Sequence, residues 1–246
     1  MESVSVSLCW RSYWLESGVG PCGVAGILDV VMHAPAHIVK PHAADIEDTV
    51  AYVIGLQDSH GNWPSKAGPR RKNPLASENT LIQWCHGAPG ILTLLSTSIL
   101  SCSTLEFSSE LENSLVSALV RGASLTHSRG LLRKGPGLCH GVGGTATVLF
   151  QAADALASQP EEQRACLRRA LHLLQCYAEL RGGRHFAKPD RPWSLYEGVA
   201  GAAAALTEAL ERVEGLLSQG AEGMGMPRGH PSGLLGSGDL DLPARA

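Results

Sequence analysis

Two short stretches of this 246-residue chain carry residues able to bind a metal: Trp84-Cys85-His86-Gly87-Ala88-Pro89-Gly90 and Gly137-Leu138-Cys139-His140-Gly141-Val142-Gly143-Gly144. Each is a Cys-His-Gly turn leading into an apolar run. Cys thiolate and His nitrogen are zinc ligands, and a catalytic zinc takes three protein donors and leaves a fourth position open. Cys85, Cys139 and His140 supply that count. Adding His86 would instead close a structural Cys2His2 centre, and the residues alone leave both arrangements open. An open zinc holds an incoming thiol as its thiolate, a nucleophile at neutral pH. Forming a carbon–sulfur bond in this way also needs a group to manage the proton of the electrophile. His86, Tyr196 and Glu197 are the candidates, and Glu197 equally suits a cap at a helix N-terminus.

The elements that must position these residues follow a repeat. Gly23-Val24-Ala25-Gly26, Gly87-Ala88-Pro89-Gly90, Gly141-Val142-Gly143-Gly144 and Gly198-Val199-Ala200-Gly201 each open an apolar helical run. Their leading glycines are 64, 54 and 57 positions apart. A recurring period of this size marks a repeat architecture. More polar helices are predicted between them, over 43–58, about 108–127 and about 160–181; in the second, Leu111, Leu115 and Leu119 line one face, with Val116 and Val120 on the neighbouring row. No segment alternates as a strand would. The pattern predicts an all-α fold of helical hairpins, each with a glycine-led helix buried nearly all round and an amphipathic helix facing water. Closed into a ring, such hairpins would bring the residues before each glycine to one rim.

Composition narrows the function. Lys and Arg number 20 against 23 Asp and Glu, so the net charge of -3 gives no basic stripe and argues against nucleic acid as a partner. The longest apolar runs, such as 199–206, fall short of the roughly 20 residues that cross a bilayer, so no transmembrane segment is expected. The first ten residues do not read as a signal peptide, and Met1-Glu2-Ser3 lacks the glycine that myristoylation needs. Seven cysteines at irregular spacing fit reduced thiols better than a disulfide framework. Cys166 and Cys176 lie in amphipathic helical pattern and read as small core or surface residues. The basic run Arg70-Arg71-Lys72 reads as a solvated loop. A helical-ring glycosidase would need two carboxylates across one bond; Glu197 and Asp190 are the nearest pair, and that reading leaves the Cys and His residues unexplained.

Together with the two Cys-His-Gly stretches, Asn62-Trp63-Pro64, Gly130-Leu131-Leu132-Arg133-Lys134-Gly135-Pro136 and Pro192-Trp193-Ser194-Leu195-Tyr196-Glu197-Gly198 resemble, in order and spacing, the eukaryotic LanC-like proteins, relatives of the bacterial lanthionine synthetase C cyclases. The resemblance covers about Tyr52 to Leu210 and extends more weakly back to Gly20. It implies an α/α toroid of seven hairpins with a zinc at one end of its cavity, held by Cys85, Cys139 and His140. It further implies addition of glutathione to dehydroalanine or dehydrobutyrine residues, with glutathione and dehydroamino-acid-containing peptides or proteins as partners. Lys134 falls at the family's glutathione-contacting lysine, and Ala187, Lys188, Pro189 and Asp190 on its glutathione-contacting loop. The expected location is cytoplasmic, with peripheral contact at the plasma membrane as an alternative. About four of seven inner helices are visible, so the chain reads as a shortened member, with an irregular segment over 1–19, a toroid portion over 20–214 and a disordered Gly/Pro-rich tail over 215–246. One departure bears on activity: Pro21-Cys22-Gly23 stands where the family has Ala-His-Gly, and a cysteine does not replace histidine as a proton donor matched to neutral pH. The alternative reading is therefore a non-catalytic zinc- and glutathione-binding protein with a signalling or scaffold role.

Overall fold

The computed structural model describes residues 18–20, 23–66 and 81–219. Cys22, the run Arg70-Arg71-Lys72, nearly all of the N-terminal segment and the chain after Gln219 lie outside the described residues. Among the described residues the fold is all-α. Its helices are α1 (Val24–Met32), α2 (Ala36–Val39), α3 (Ala43–Gly55), α4 (Ala88–Leu105), α5 (Ser109–Arg129), α6 (Val142–Ala155), α7 (Pro160–Leu180) and α8 (Val199–Gln219), with a 3-10 turn at Lys40–His42. The only β-type pairing among these residues is two isolated bridges, Gly18 with Lys66 and Gln83 with His86.

All four glycine-led helices begin directly after the glycine that the sequence singles out, at Val24, Ala88, Val142 and Val199. The polar helices shift slightly. The first ends at Gly55, three residues short of the predicted stop, and α2 with its 3-10 turn precedes it; the periodicity of so short a segment carries no signal. The last helix, α8, runs through Gln219, with Leu216 and Leu217 as good helix formers in its final turn.

The chain divides after Leu125 into two compact units. In the first, α1 packs on α4, and α2 and α3 also contact α4. Pro89 at the start of α4 costs nothing there, since the first helical N–H groups have no intrahelical partner. The core gathers Ile91, Leu92, Leu94 and Leu95 of α4 with Val50, Val53, Leu115 and Leu119. Gly122 of α5 admits the Leu92 and Trp63 side chains, which a Cβ there would meet at 2.7 and 3.1 Å. The predicted face of α5 is confirmed: Leu111, Leu115 and Leu119 are buried.

In the second unit α6 packs against both α7 and α8. Every residue of α6 except Asp154 is buried. Its small residues set this up: α6 and α8 approach so closely that a Cβ on Gly143 would lie 2.7 Å from the Gly201 carbonyl oxygen. The α8 side of this contact is held by Arg212, whose guanidinium spans both oxygens of Asp154 at 2.8 and 2.7 Å and also donates to Glu208. The same guanidinium stacks 5.0 Å above the Phe150 ring.

Two expectations require correction. Burial nearly all round holds for α6 and for the first half of α4, though Leu100 of α4 is exposed; it does not hold for α1 and α8, which expose Ile27, Val30 and Val31, and Val199, Leu206, Leu210 and Leu217, respectively. The apolar run of α4 also extends further than its sequence suggests: Ala88–Leu105 is long and apolar enough to cross a membrane by length and composition, with mean hydropathy 1.4 over 18 residues. Two thirds of that window is buried inside the structure, the usual state of a core helix. Its serines and threonines hide the run from a reading by apolar residues alone.

Candidate metal centre

Cys85 sits in a turn closed by two backbone hydrogen bonds, Gln83 N–H to the His86 carbonyl and His86 N–H to the Gln83 carbonyl, both 3.0 Å. The Gln83 amide donates to Cys85 Sγ at 3.1 Å, which orients the sulfur. The turn enters α4 through Gly87, whose φ of +97° and whose position against the Leu81 carbonyl, 2.0 Å from a would-be Cβ, admit no side chain. The first N–H of α4, on Ala88, has no partner within the helix and is instead accepted by Asn62 Oδ1 at 2.7 Å. Asn62 also donates to the Leu81 carbonyl at 3.3 Å. Its neighbour Trp63, fully buried, donates from Nε1 to the Val53 carbonyl at 2.7 Å. The Asn62-Trp63-Pro64 segment is thus the brace that fixes both edges of the Cys85 turn.

Cys139 and His140 occupy a second turn, entering α6. Leu138 N–H donates to the Leu195 carbonyl at 3.2 Å and Cys139 N–H to the Tyr196 carbonyl at 2.8 Å. The segment 195–196 is therefore laced along the ligand-bearing turn. Glu197 is engaged in its own loop: it accepts the Arg191 N–H at 3.2 Å, and its N–H donates to Ser194 Oγ at 3.2 Å. That is the turn-capping role its position before a helix allows.

Cys85, Cys139 and His140 form a candidate metal-holding group, with one ligand atom from each and all three atoms within 4.8 Å of one another. All three are half-buried. Two thiols and one imidazole suit zinc better than magnesium or calcium, which take oxygen donors.

The remaining predicted residues fall as follows. His86 is exposed, and Tyr196 keeps an exposed side chain while its carbonyl accepts from Cys139. Lys134 is exposed on the segment leading to Cys139. The loop holding Ala187, Lys188, Pro189 and Asp190 lies against that segment: Ala187 N–H donates to the Arg133 carbonyl at 2.7 Å, and Arg133 Nε donates to the His185 carbonyl at 2.9 Å. Gly135, with φ of +147°, sits so close that a Cβ would touch Pro189 at 3.5 Å. The sequence reading missed two functional supports. Gln83 carried a signal, an amide two residues before a ligand cysteine; the capping role of Asn62, 26 residues upstream of its helix, carried none.

The family model described as lanthionine synthetase C-like protein matches residues 22–216. The chain is 31% identical over 170 residues to the glutathione S-transferase LANCL1 of Danio rerio, covering 68% of this chain and 36% of that protein. It is 27% identical over 188 residues to the LanC-like protein GCL1 of Arabidopsis thaliana, covering 73% of this chain and 37% of that protein. The chain thus spans a little over a third of the length of the curated relatives it matches. With a family match over most of its length, the chain belongs to the lanthionine synthetase C-like protein family.

Proposed function

We propose that this chain binds one zinc through Cys85, Cys139 and His140 and promotes addition of glutathione to dehydroalanine or dehydrobutyrine residues of peptides or proteins. The observation that carries the reading is that the three donors picked by residue type and spacing have ligand atoms within 4.8 Å. A relative named for glutathione transfer, 31% identical over 170 residues, points to the same thiol. When bound, zinc supplies the Lewis acidity that keeps an incoming thiol deprotonated at neutral pH. The chain's own residues do the rest. Gln83 holds Cys85 Sγ in place. Lys134 offers a cation to a glutathione carboxylate, and the loop from Ala187 through Lys188 and Pro189 to Asp190, tied to the same segment through Arg133, forms the adjoining wall. As the sulfur bonds to the β-carbon and the C=C double bond is lost, His86 or Tyr196 delivers the proton to the α-carbon. The helices belong, in this reading, to an α/α toroid, and the protein acts in the cytoplasm or peripherally at the plasma membrane.

The test is metal content by elemental analysis, followed by an assay of glutathione addition to a dehydroalanine peptide. About one zinc per chain, lost in Cys139→Ala, is expected, since one ligand in three is removed. A folded wild-type chain without zinc overturns the reading. A second reading, a zinc- and glutathione-binding protein without turnover, is motivated by Cys22, which stands where the resemblance to the family would place a histidine. Zinc and glutathione binding with no product, and product on Cys22→His, would select it.

A further inference from the structure

The second unit carries another cluster of nucleophile and base, apart from the candidate zinc ligands. On α7, His172 and Cys176 stand four residues apart and so share one helix face. Cys176 Sγ lies 3.5 Å from His172 Nε2. The other nitrogen of the same ring, Nδ1, lies 3.0 Å from Nε2 of His127 on α5. The two rings are tilted at 55° with centroids 5.1 Å apart, which suits an edge-to-edge hydrogen bond better than a stack. Because the two contacts of His172 use opposite edges of its ring, no single ion can take all three side chains as ligands. The arrangement is a linear proton path.

We propose that Cys176 is a modification site, a base-assisted thiol that adds to soft carbon electrophiles of the α,β-unsaturated carbonyl class. One tautomer assignment satisfies the chain of contacts. His127 accepts at Nε2 from His172 Nδ1–H, which leaves His172 Nε2 free of hydrogen and facing the thiol. The thiol proton passes to that nitrogen as the sulfur bonds to the β-carbon of the acceptor. The C=C double bond is lost, and the proton then moves from His172 to the α-carbon, so atoms and charge balance without an oxidant or reductant. This is the nucleophile, base and orienting-group order of activated thiols generally. His172 is the base, and His127 is a positioning residue. Burial lowers the pKa of His127, and the charges of His172 and Arg169 lower it further, which keeps its ring neutral and able to accept. Cys176 is half-buried and partly open to reagent. Ten residues earlier on the same helix, Cys166 is fully buried and its thiol is pushed up to about 11, so it serves as an inert internal reference.

The test is the rate of acrylamide addition to each cysteine of the full chain, followed by tryptic mass spectrometry. Cleavage after Arg164, Arg168, Arg169 and Arg181 places Cys166 and Cys176 in separate peptides. In the native wild type, Cys176 is expected to react several-fold faster than in the urea-unfolded chain, the reverse of ordinary protection by folding. A native rate equal to or below the unfolded one overturns the proposal without any variant. His172→Gln should slow Cys176 roughly tenfold, the low end of base assistance, while Cys166 stays protected; an unchanged rate overturns the base role. His127→Leu should slow the reaction several-fold and His127→Gln, which retains an acceptor, should restore it. Equal rates in the two His127 variants would remove His127 from the path.

Discussion

The four helices opened by the same glycine signature divide into two kinds. α6 and the first half of α4 are sheathed on nearly every side, whereas α1 and α8 leave an apolar stripe in the open, with Val30 and Leu210 each 57% exposed. The signature therefore does not itself specify complete burial. It specifies a start, a glycine whose backbone another chain segment can approach, followed by small residues that let a neighbour come close. How much of the helix is then covered depends on the helices around it. The metal-ligating candidates follow the same division. Cys85 precedes α4, and Cys139 with His140 precede α6, so the donors stand at the buried starts of these two helices. A ligand set needs supports of this kind, because binding weakens when donors must be ordered as the metal arrives.

The largest expected effect is at the entrance to a sheathed helix. Gly87→Ala places a Cβ at a φ of +97° and 2.0 Å from the backbone oxygen of Leu81, neither of which a side-chain shift relieves. A loss on the order of 4 kcal/mol or more is expected, at the far end of single substitutions. Gly55→Ala, with nothing within 4 Å, should be neutral or slightly stabilising, by about 0.5–1 kcal/mol. Thermal unfolding of the two variants reads the difference, and similar midpoints would show that the entrance tolerates rearrangement.

Next in size is the anchor of an open helix. Burial alone would lower the Arg212 guanidinium, yet hydrogen bonds and charge from Asp154 and Glu208 more than offset it and hold the pKa above the ordinary value. Arg212→Ala leaves two carboxylates facing each other without their shared cation, and a cost of about 3–5 kcal/mol is expected from breaking such a network. Arg212→Met, paired with Asp154→Leu and Glu208→Leu, should recover much of it, because an apolar cluster does not need the charge. If the single and paired variants unfold alike in urea, α8 is held by Phe150 and its neighbours and not by the ion network.

A paired truncation tests the division itself. Leu92 of α4 is fully buried, and Leu92→Ala should cost about 2–5 kcal/mol. Leu210→Ala on α8 should stay within about 0.5 kcal/mol, since that side chain already faces solvent. An equal loss at both positions in chemical denaturation would mean that the α8 stripe is covered in solution.

These contrasts also show what the sequence could and could not reveal. Helix starts were legible because glycine pairs and apolar runs are local signals, and the face of α5 was legible because Leu111, Leu115 and Leu119 repeat every four residues. The three metal-ligating candidates were legible from residue type and motif. The exposed stripes of α1 and α8 were not, since Val30 and Leu210 look like core residues when read alone. Nor was the role of Asn62, because its hydrogen bond to Ala88 crosses 26 residues and no periodicity reports it. Cys176 looked unremarkable for the same reason: His127, which completes its proton path, lies 45 residues before His172 on another helix.

The smallest expected effect concerns the buried side of α1. Asp29 is 4% exposed and accepts the Thr97 hydroxyl of α4 at 2.6 Å. Burial raises its carboxyl above the ordinary value, even though the Thr97 hydrogen bond and the charge of His33 pull the other way. The folded chain therefore holds this proton more tightly than the unfolded chain does. Its contribution to stability is full below the unfolded carboxylate pKa, near 3.9, and is lost as pH rises through the raised folded value. Asp29→Asn keeps an oxygen for Thr97 and carries no charge to bury. The variant should match the wild type in acid, below that window, and equal or exceed it at neutral pH. Urea unfolding at both pH values checks the sign. A wild type more stable than Asp29→Asn at neutral pH would show that α1 is anchored to α4 by an ionised carboxylate, with His33 as its charge partner.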